Sequence, residues 1–194
     1  MNICVYGASS NVIDEKYIKA GEELGLLMAK AGHTLVFGGG ASGLMGAVAR
    51  GMKAGGGRVI GVAPSFFNVD GILFEGCDEF IYTETMRERK EKMENLSDAF
   101  IMTAGGIGTF EEFFEILTLR QLGRHKKPIA ILNTDGYFDS LCSLIDHAIE
   151  ERFMTEANRR IFSVFGSAEE TLKYLASDDI FEGDISQFKS IGEK

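Results

Sequence analysis

The sequence predicts a doubly wound α/β fold, with helices on both faces of one parallel sheet. Short runs rich in Val, Ile and Phe alternate with longer helical patterns, which is the rhythm of βαβ units. At 194 residues, with 45% hydrophobic and 25% charged residues, the chain is large enough for one compact core. No repeat, low-complexity tract or linker divides it. We therefore expect a single domain over residues 1–194, with a polar tail after Asp178 that forms a surface end.

Strand and helix patterns alternate along the chain. We expect strands in NICVYG, HTLVFGGG and RVIGVAP, over residues 80–82, in DAFIMT and KPIAILN, and over residues 161–165. Helices are expected over residues 14–31 and 43–54, from Met86, from Thr109, from Tyr137, and over residues 168–176. The turns between strand ends and the following helices therefore line one edge of the predicted sheet, where such folds bind ligands.

Composition excludes several function classes. A net charge of −9 argues against a broad electrostatic grip on nucleic acid. Cys4, Cys77 and Cys142 are odd in number and far apart, and the histidines are equally scattered, so neither a disulfide framework nor a metal centre is expected. No apolar run has membrane-spanning length, and MNICVYGASS follows a strand pattern rather than that of a signal peptide. We expect a soluble, cytoplasmic protein with no nucleic-acid, membrane or metal partner.

The first glycine-rich turn, FGGGASGLMG, follows a strand and precedes a helix. Gly38, Gly40 and Gly43 match the G-x-G-x-x-G spacing of dinucleotide-binding turns. That fingerprint also expects an acidic residue at the end of the next strand to bind the ribose, and RVIGVAPSFF supplies none. The glycines can equally serve close packing of helix on sheet, and a nicotinamide cofactor is not expected.

The second glycine-rich turn, TAGGIGTFEEF at residues 103–113, has the character of an anion site. Gly105, Gly106 and Gly108 let the backbone approach a ligand closely, and Thr109 takes a helix N-cap or first-turn position. The first N–H groups of the following helix have no partner within it and attract anions. No Lys follows the glycines, unlike in triphosphate-binding loops. The turn therefore indicates one small anionic group, such as a monophosphate.

Two adjacent carboxylates, Glu111 and Glu112, follow this anion site in what is expected to be the first turn of its helix. Acids in that position stabilise the helix dipole by about 0.3 to 1 kcal/mol, which is the ordinary explanation for them. The helix is apolar almost all round, however, and is expected to be buried on most sides. Glu111 and Thr118 fall on one stripe, while Glu112 is turned about 100° away. The two carboxylates are therefore expected to contact different groups.

A basic segment, TETMRERKEKM, stands out in this acidic chain. Thr85 and Glu88 form a capping box that starts a helix at Met86. Arg89 and Lys90 share one helix face with inward-facing methionines. Either their stems cover apolar surface on a solvated helix, or Arg89 reaches inward to recognise phosphate or carboxylate. We expect the inward arginine.

The longest irregular connection covers residues 65–76 and contains Phe66, Phe67 and Asp70. Loops of this length are often functional. A packed surface loop is the alternative interpretation.

Three motifs in this order, GGGxxGLMG, M-x-x-R-K and G-G-x-G-T-x-E-E, resemble the LONELY GUY family of cytokinin riboside 5′-monophosphate phosphoribohydrolases, often labelled lysine decarboxylase-like. The likeness extends from VYGASS to the helix after KPIAILN. It implies a Rossmann-like fold and a homodimer or larger assembly. It also implies an enzyme without cofactors that converts a nucleoside 5′-monophosphate, either AMP or a cytokinin riboside 5′-monophosphate, to free base and ribose 5-phosphate.

The resemblance also implies roles for individual residues. Glu112 matches the last acid of the family motif, where a carboxylate would stabilise an oxocarbenium-like transition state and activate water, with Arg89 as the second catalytic residue. The phosphate is expected on backbone N–H groups around Gly106, Gly108 and Thr109. Further substrate contacts are expected from Met86, Lys90, Gly39, Gly40, Gly105, Ile107, Glu111 and Thr118.

Two positions depart from the family pattern. A nucleotide sensor stays open as an alternative function, whereas a pyridoxal enzyme is not expected. Ala104 stands where the family has the proline of Pro-Gly-Gly, and Arg87 stands for the histidine of Met-His-x-Arg-Lys, adding a cation that can alter the preferred base. A nucleotide sensor that binds without turnover would use the same anion site. A pyridoxal-dependent decarboxylase would need a lysine for its Schiff base, and no lysine sits at a strand-end glycine turn.

Overall fold

Seven strands and six α-helices make up the structure, a computed structural model that describes residues 1–67, 71–177 and 180–188. The strands are β1 (Asn2–Tyr6), β2 (Thr34–Phe37), β3 (Arg58–Pro64), β4 (Glu79–Thr83), β5 (Ala99–Met102), β6 (Ile129–Leu132) and β7 (Ser163–Phe165). The helices are α1 (Glu15–Lys30), α2 (Gly43–Ala54), α3 (Met86–Leu96), α4 (Ile107–Gln121), α5 (Asp139–Glu150) and α6 (Ala168–Leu175). Short 3₁₀ turns cover residues 65–67, 134–136, 156–160 and 185–188.

The strands form one sheet in the order β4-β3-β2-β1-β5-β6-β7, and all six neighbouring pairs are parallel. The chain leaves β1 toward β2 on one side and later returns to β5 on the other. The carboxyl ends of β1 and β5 therefore flank the point where the winding direction reverses, which is where open α/β sheets bind ligands.

Alternating side chains of the central strand separate the two halves of the core. Ile3 and Val5 of β1 pack with residues of α1, α2 and α6, whereas Cys4 and Tyr6 pack with residues of α3, α4 and α5. Helices therefore cover both faces of the sheet, and the doubly wound α/β prediction is confirmed.

Two helices begin at positions other than those expected. α4 begins at Ile107 with Gly106 as its N-cap, two residues before Thr109. α5 begins at Asp139 rather than Tyr137, because the preceding residues form a 3₁₀ turn. The Thr85 cap of α3 is observed, since its side chain accepts a hydrogen bond from the backbone N–H of Glu88 at 3.2 Å, while the Glu88 carboxylate accepts from the N–H of Glu84, one residue before the cap, at 2.9 Å.

α4 is less buried than its apolar composition suggested. Phe113 and Ile116 lie in the core, but Ile107, Phe114 and Leu122 are 86%, 39% and 46% exposed. These three residues are spaced by seven and eight positions and lie on one side of the helix. Three apolar side chains therefore remain exposed on one side of α4 and its C-cap in the single chain, with Glu111 and Thr118 between them.

Part of the expected surface tail is packed into the fold. Phe188 is buried in the core on the α3–α5 side, and the carbonyl oxygen of Phe181 accepts a hydrogen bond from Arg120 Nη2 at 2.8 Å. The expectation of a surface end is therefore corrected for Phe188 and Phe181, whose rings pack against the core, whereas Glu182, Asp184, Ser186 and Gln187 are exposed. Residues 178, 179 and 189–194 of that tail, and 68–70 of the irregular connection, including Asp70, lie outside the described residues.

Within the described ranges, no helix is both long and apolar enough to cross a bilayer. The cytoplasmic location expected from the sequence stays a prediction.

Candidate active site

A cavity of about 450 Å³ opens at the carboxyl ends of β1 and β5, at the reversal point of the sheet. Three segments meet there: the loop after β1, the start of α3, and the glycine turn that begins α4. The residues that line the cavity are Gly7, Ala8, Ser9, Ser10, Met45, Phe67, Met86, Arg89, Gly106, Gly108, Thr109 and Glu112.

Arg89 is buried at the base of this cavity. It lies in the first turn of α3, is only 6% exposed, and its Nε donates to the carbonyl oxygen of Val62 at 3.1 Å. Its Nη1 donates to Glu112 Oε1 at 2.8 Å. The inward arginine is therefore observed, and the alternative of a solvated side chain is wrong.

Gly38 provides the space that this guanidinium occupies. A Cβ atom built on Gly38 would lie 2.0 Å from Arg89 Nη2, so any side chain there would force the guanidinium to move. The first glycine of the dinucleotide-like turn therefore accommodates a side chain of the protein itself. The close contact at Gly38 is with a side chain and not the packing of helix on sheet that the sequence suggested.

Glu112 is held deep inside the site by its position on α4. Because the helix begins at Ile107, Glu112 is its sixth residue, and neither Glu111 nor Glu112 lies in the first turn. The helix-dipole explanation for these acids therefore loses its basis. Burial raises the pKa of the Glu112 carboxyl, and the adjacent Arg89 guanidinium opposes part of that rise.

The glycine turn places helix N–H groups next to this pair. Gly106, Gly108 and Thr109 line the cavity, and the N–H groups of the first turn of α4 have no acceptor within the helix. Gly105 lies beneath the turn, where a Cβ would come within 2.1 Å of Thr109 Oγ1, and Ile107 points outward. Fewer residues of this turn face the cavity than the sequence suggested, because Gly105 and Ile107 do not line it.

Other residues predicted to contact substrate lie elsewhere. Lys90 binds the carboxylates of Glu111 and Glu115, and Thr118 is exposed two turns beyond Glu111 on α4. Gly39 adopts a left-handed conformation with φ of 78° and lies against the ring of Phe80. None of these four residues lines the main cavity in the single chain, and their substrate contacts stay predictions.

An apolar annex of about 330 Å³ adjoins the main cavity. The two share Ser9, Met45, Phe67 and Arg89. The annex is further lined by Gly38, Gly40, Ser42, Gly71, Ile72 and Leu73. Gly40 therefore lies where a ligand in the annex would contact it, as the sequence suggested.

A third space of about 280 Å³, the rear cavity, lies on the opposite side of Glu112. Its lining consists of Tyr6, Arg87, Lys90, Glu91, Glu94, Glu112, Glu115 and Ile116. Burial raises the pKa of the Cys4 thiol to about 12 and that of the neighbouring Tyr6 phenol well above its usual value, so both groups stay neutral beside Glu112. Glu112 thus forms part of the wall between the ligand cavity and the α3–α4 interface.

Sequence reasoning missed the loop after β1. Gly7, Ala8, Ser9 and Ser10 line the main cavity, and the backbone N–H of Ala8 donates to the carbonyl oxygen of Ala104 at 3.0 Å. This loop follows a strand, as the two glycine turns do, but it carries only one glycine. The rule that ligands bind at strand ends would have identified it.

Fold and cavity together define a Rossmann-like protein whose ligand crevice combines a helix N-terminus with a buried carboxylate–guanidinium pair. A family model described as "Possible lysine decarboxylase" matches residues 45–175. The chain belongs to this family, the LONELY GUY family that the sequence motifs indicated.

Relatives and solved structures agree with this assignment. The cytokinin riboside 5′-monophosphate phosphoribohydrolase LOG of Oryza sativa subsp. japonica is 42% identical over 89% of this chain and 72% of its own length. The corresponding LOG2 of Arabidopsis thaliana is 39% identical over 89% of this chain and 81% of its own length. A molybdenum cofactor binding protein from Rippkaea orientalis has a similar structure, with a TM-score of 0.69 and 25% identity over 90% of this chain and 94% of that chain.

Proposed function

We propose that the protein hydrolyses the N-glycosidic bond of nucleoside 5′-monophosphates, releasing free base and ribose 5-phosphate. The observation that carries this proposal is the 2.8 Å ion pair of Arg89 and Glu112 in a cavity edged by the N-terminus of α4. The likeness to phosphoribohydrolases at about 40% identity supports the same reaction.

Each part of the substrate has a complement in the cavity. The phosphate binds the N–H groups at the start of α4, which attract anions. The ribose then lies toward Glu112, one turn further along the helix. In the reaction the bond between ribose C1′ and the base nitrogen breaks, its electrons go to the base, and a water oxygen bonds to C1′. One water proton passes to Glu112, the base nitrogen takes up a proton from solvent as it leaves, and Glu112 then returns its proton to solvent, so that no net proton is consumed.

Glu112 and Arg89 have distinct tasks in this reaction. Positive charge develops on the ribose in the transition state, and a nearby carboxylate stabilises it most strongly where water is excluded. Arg89 fixes one carboxylate oxygen through Nη1 and favours the charged form of a group that burial alone would neutralise. The same guanidinium also supplies positive charge beside the phosphate.

The annex is the proposed site of the base. Met45, Phe67, Ile72 and Leu73 give it apolar walls that suit adenine or a prenylated adenine. We therefore propose AMP and cytokinin riboside 5′-monophosphates as substrates.

Incubation with a panel of nucleotides tests this function. We expect free base and ribose 5-phosphate from AMP and from its prenylated analogue, and a rate at least about 100-fold lower from adenosine, because the remote phosphate supplies binding energy that orients the reacting carbon. Chromatographic quantification of free base is the measurement. Absence of base from every monophosphate, with AMP still bound, would identify a nucleotide sensor instead.

Two controls accompany the panel. The described residues contain no group of three potential metal ligands, so we expect full activity in chelator. Loss of activity that a divalent ion restores would contradict the mechanism. Absorbance in the visible range by the purified protein would instead support a pyridoxal enzyme.

A homodimer is proposed from the exposed apolar side chains on α4 and its C-cap. Ile107, Phe114 and Leu122 form an uncovered apolar surface, and such surfaces mark interaction sites. We expect light scattering at micromolar concentration to give about twice the 21.2 kDa chain mass. Phe114→Glu should shift the protein toward monomer, whereas Leu144→Glu, at an exposed position of α5, should not. A wild-type monomer, or a dimer indifferent to Phe114→Glu, would count against this interface.

A further inference from the structure

A tyrosine hydroxyl holds the glycine turn that precedes α4. The Tyr137 hydroxyl donates to the carbonyl oxygen of Gly105 at 2.7 Å. Tyr137 follows the 3₁₀ turn of residues 134–136, lies just before α5, and is not part of the lining of the main cavity. The two residues are 32 positions apart, so the hydrogen bond joins the turn after β5 to the turn after β6.

The carbonyl of Gly105 shares one peptide unit with the N–H of Gly106. This unit is planar and trans, so its C=O and N–H bonds point in opposite directions. A partner that fixes the Gly105 carbonyl therefore also fixes the direction of the Gly106 N–H. Gly106 is the N-cap of α4 and lines the main cavity, and its N–H is among those that the helix leaves without an internal acceptor.

This peptide unit rotates more easily than others because a glycine lies on each side of it. Rotation changes ψ of Gly105 and φ of Gly106, and glycine tolerates the widest range of both angles. A rotated unit would place the Gly105 carbonyl oxygen where the Gly106 N–H had been, and a negative partial charge would then face the anion. The preceding unit is held separately, since the backbone N–H of Ala8 donates to the carbonyl oxygen of Ala104 at 3.0 Å.

The ring of Tyr137 is held in place by its own neighbours. It packs edge-to-face against Tyr17 of α1, with ring centroids 5.6 Å apart, and against Phe138, with centroids 4.8 Å apart. The backbone N–H of Phe138 in turn donates to Asn133 Oδ1 at 2.7 Å. The hydroxyl is therefore presented to Gly105 by a packed ring, and a phenylalanine at position 137 would keep that packing.

We propose that Tyr137 is a positioning residue that keeps the Gly106 N–H directed at the phosphate of the substrate. The inference deepens the proposed function and rests on its assignment of the phosphate to the start of α4. Tyr137 acts through the backbone of the glycine turn and does not contact the substrate itself.

Tyr137→Phe removes only the hydroxyl and tests this role in NMR titrations with ribose 5-phosphate and with adenosine. We expect affinity for ribose 5-phosphate to fall about 3-fold to 10-fold, and affinity for adenosine, which has no phosphate, to change less than about 2-fold. Tyr17→Phe, which removes the hydroxyl of the neighbouring ring, should bind both ligands as the wild type does. Equal losses for the two ligands, or unchanged affinity for ribose 5-phosphate, would overturn the proposal.

The backbone signals of the turn provide a readout that does not depend on activity. The Gly106 amide should shift when ribose 5-phosphate is added to the wild type, and this shift should be much smaller in saturated Tyr137→Phe. Without ligand, the Gly105 carbonyl carbon should shift in Tyr137→Phe but not in Tyr17→Phe, because only the first variant loses the hydrogen bond. A Gly106 amide that responds equally in wild type and Tyr137→Phe, or not at all in the wild type, would refute the positioning role.

The proposed function fails separately, if the wild-type protein releases no base from any monophosphate. In that case the titration with ribose 5-phosphate still decides whether Tyr137 directs the Gly106 N–H toward a phosphate.

Discussion

Glu112→Gln is expected to lower single-turnover release of base from AMP by roughly 100-fold or more, with AMP affinity nearly unchanged. The amide keeps the size of the side chain and can still accept the hydrogen bond from Arg89 Nη1. What it loses is negative charge, which acts on the ribose mainly in the transition state. Binding and turnover should therefore respond differently.

Glu111→Gln is the matched control for this variant. It removes a carboxylate from the adjacent position of α4 but leaves Lys90 bound to Glu115, so we expect most activity to remain. Near-normal turnover by Glu112→Gln would show that the catalytic carboxylate is misassigned. Thermal unfolding of both variants confirms that each is folded.

The pH profile of the wild-type protein tests the same assignment of Glu112 as the reacting carboxylate. The reaction needs Glu112 as carboxylate, and its pKa lies above the usual glutamate value because burial dominates. Activity should therefore be lost as pH falls through this raised pKa, at a higher pH than an ordinary glutamate would give. Glu112→Gln should lack this acid limb in its residual activity.

Arg89→Ala is expected to reduce both binding and turnover. Loss of one charged hydrogen bond costs about 1.5 to 3 kcal/mol, which corresponds to roughly 10-fold to 100-fold weaker AMP binding if the guanidinium contacts the phosphate. Turnover falls further, because without Arg89 the pKa of Glu112 rises and less carboxylate is present at neutral pH. Calorimetric AMP affinity and single-turnover base release measure the two effects.

Arg58→Ala is the control for the arginine variant. Arg58 is exposed and pairs with Glu79 at the amino ends of β3 and β4, whereas the cavity lies at the carboxyl ends of the strands, so AMP affinity and turnover should match wild type. Arg89→Ala also leaves Glu112 buried without its ion-pair partner, which is destabilising. Unfolding must therefore be checked before kinetics. Unchanged AMP affinity in folded Arg89→Ala would show that the guanidinium serves only Glu112.

The strands were predictable because the central sheet of a doubly wound fold is buried on both faces. Segments such as RVIGVAP and DAFIMT are continuous apolar runs bounded by turns, and both correspond to strands, β3 and β5. Helix starts were less certain. The glycines at 105, 106 and 108 concealed the start of α4 at Ile107, because glycine is compatible with both turn and helix.

Arg89 and Glu112 were predicted as two individual site residues but not as residues in contact. Arg89 and Glu112 are 23 positions apart on separate helices, and only the packing of α3 beside α4 brings them within 2.8 Å. The same packing removes Lys90 from the cavity, although it adjoins Arg89 in sequence. Neighbouring residues on a helix point about 100° apart, so a shared motif does not imply a shared ligand.

Gly38 leaves the space in which the guanidinium of Arg89 lies. Because the space beside its Cα is filled by Arg89, an alanine at this position would displace the guanidinium. A substitution at residue 38 is therefore expected to act on the site through Arg89 and its ion pair with Glu112. A genome survey that treats the G-x-G-x-x-G spacing as a cofactor signature would misclassify such chains, since here the first glycine accommodates an arginine side chain of the protein itself.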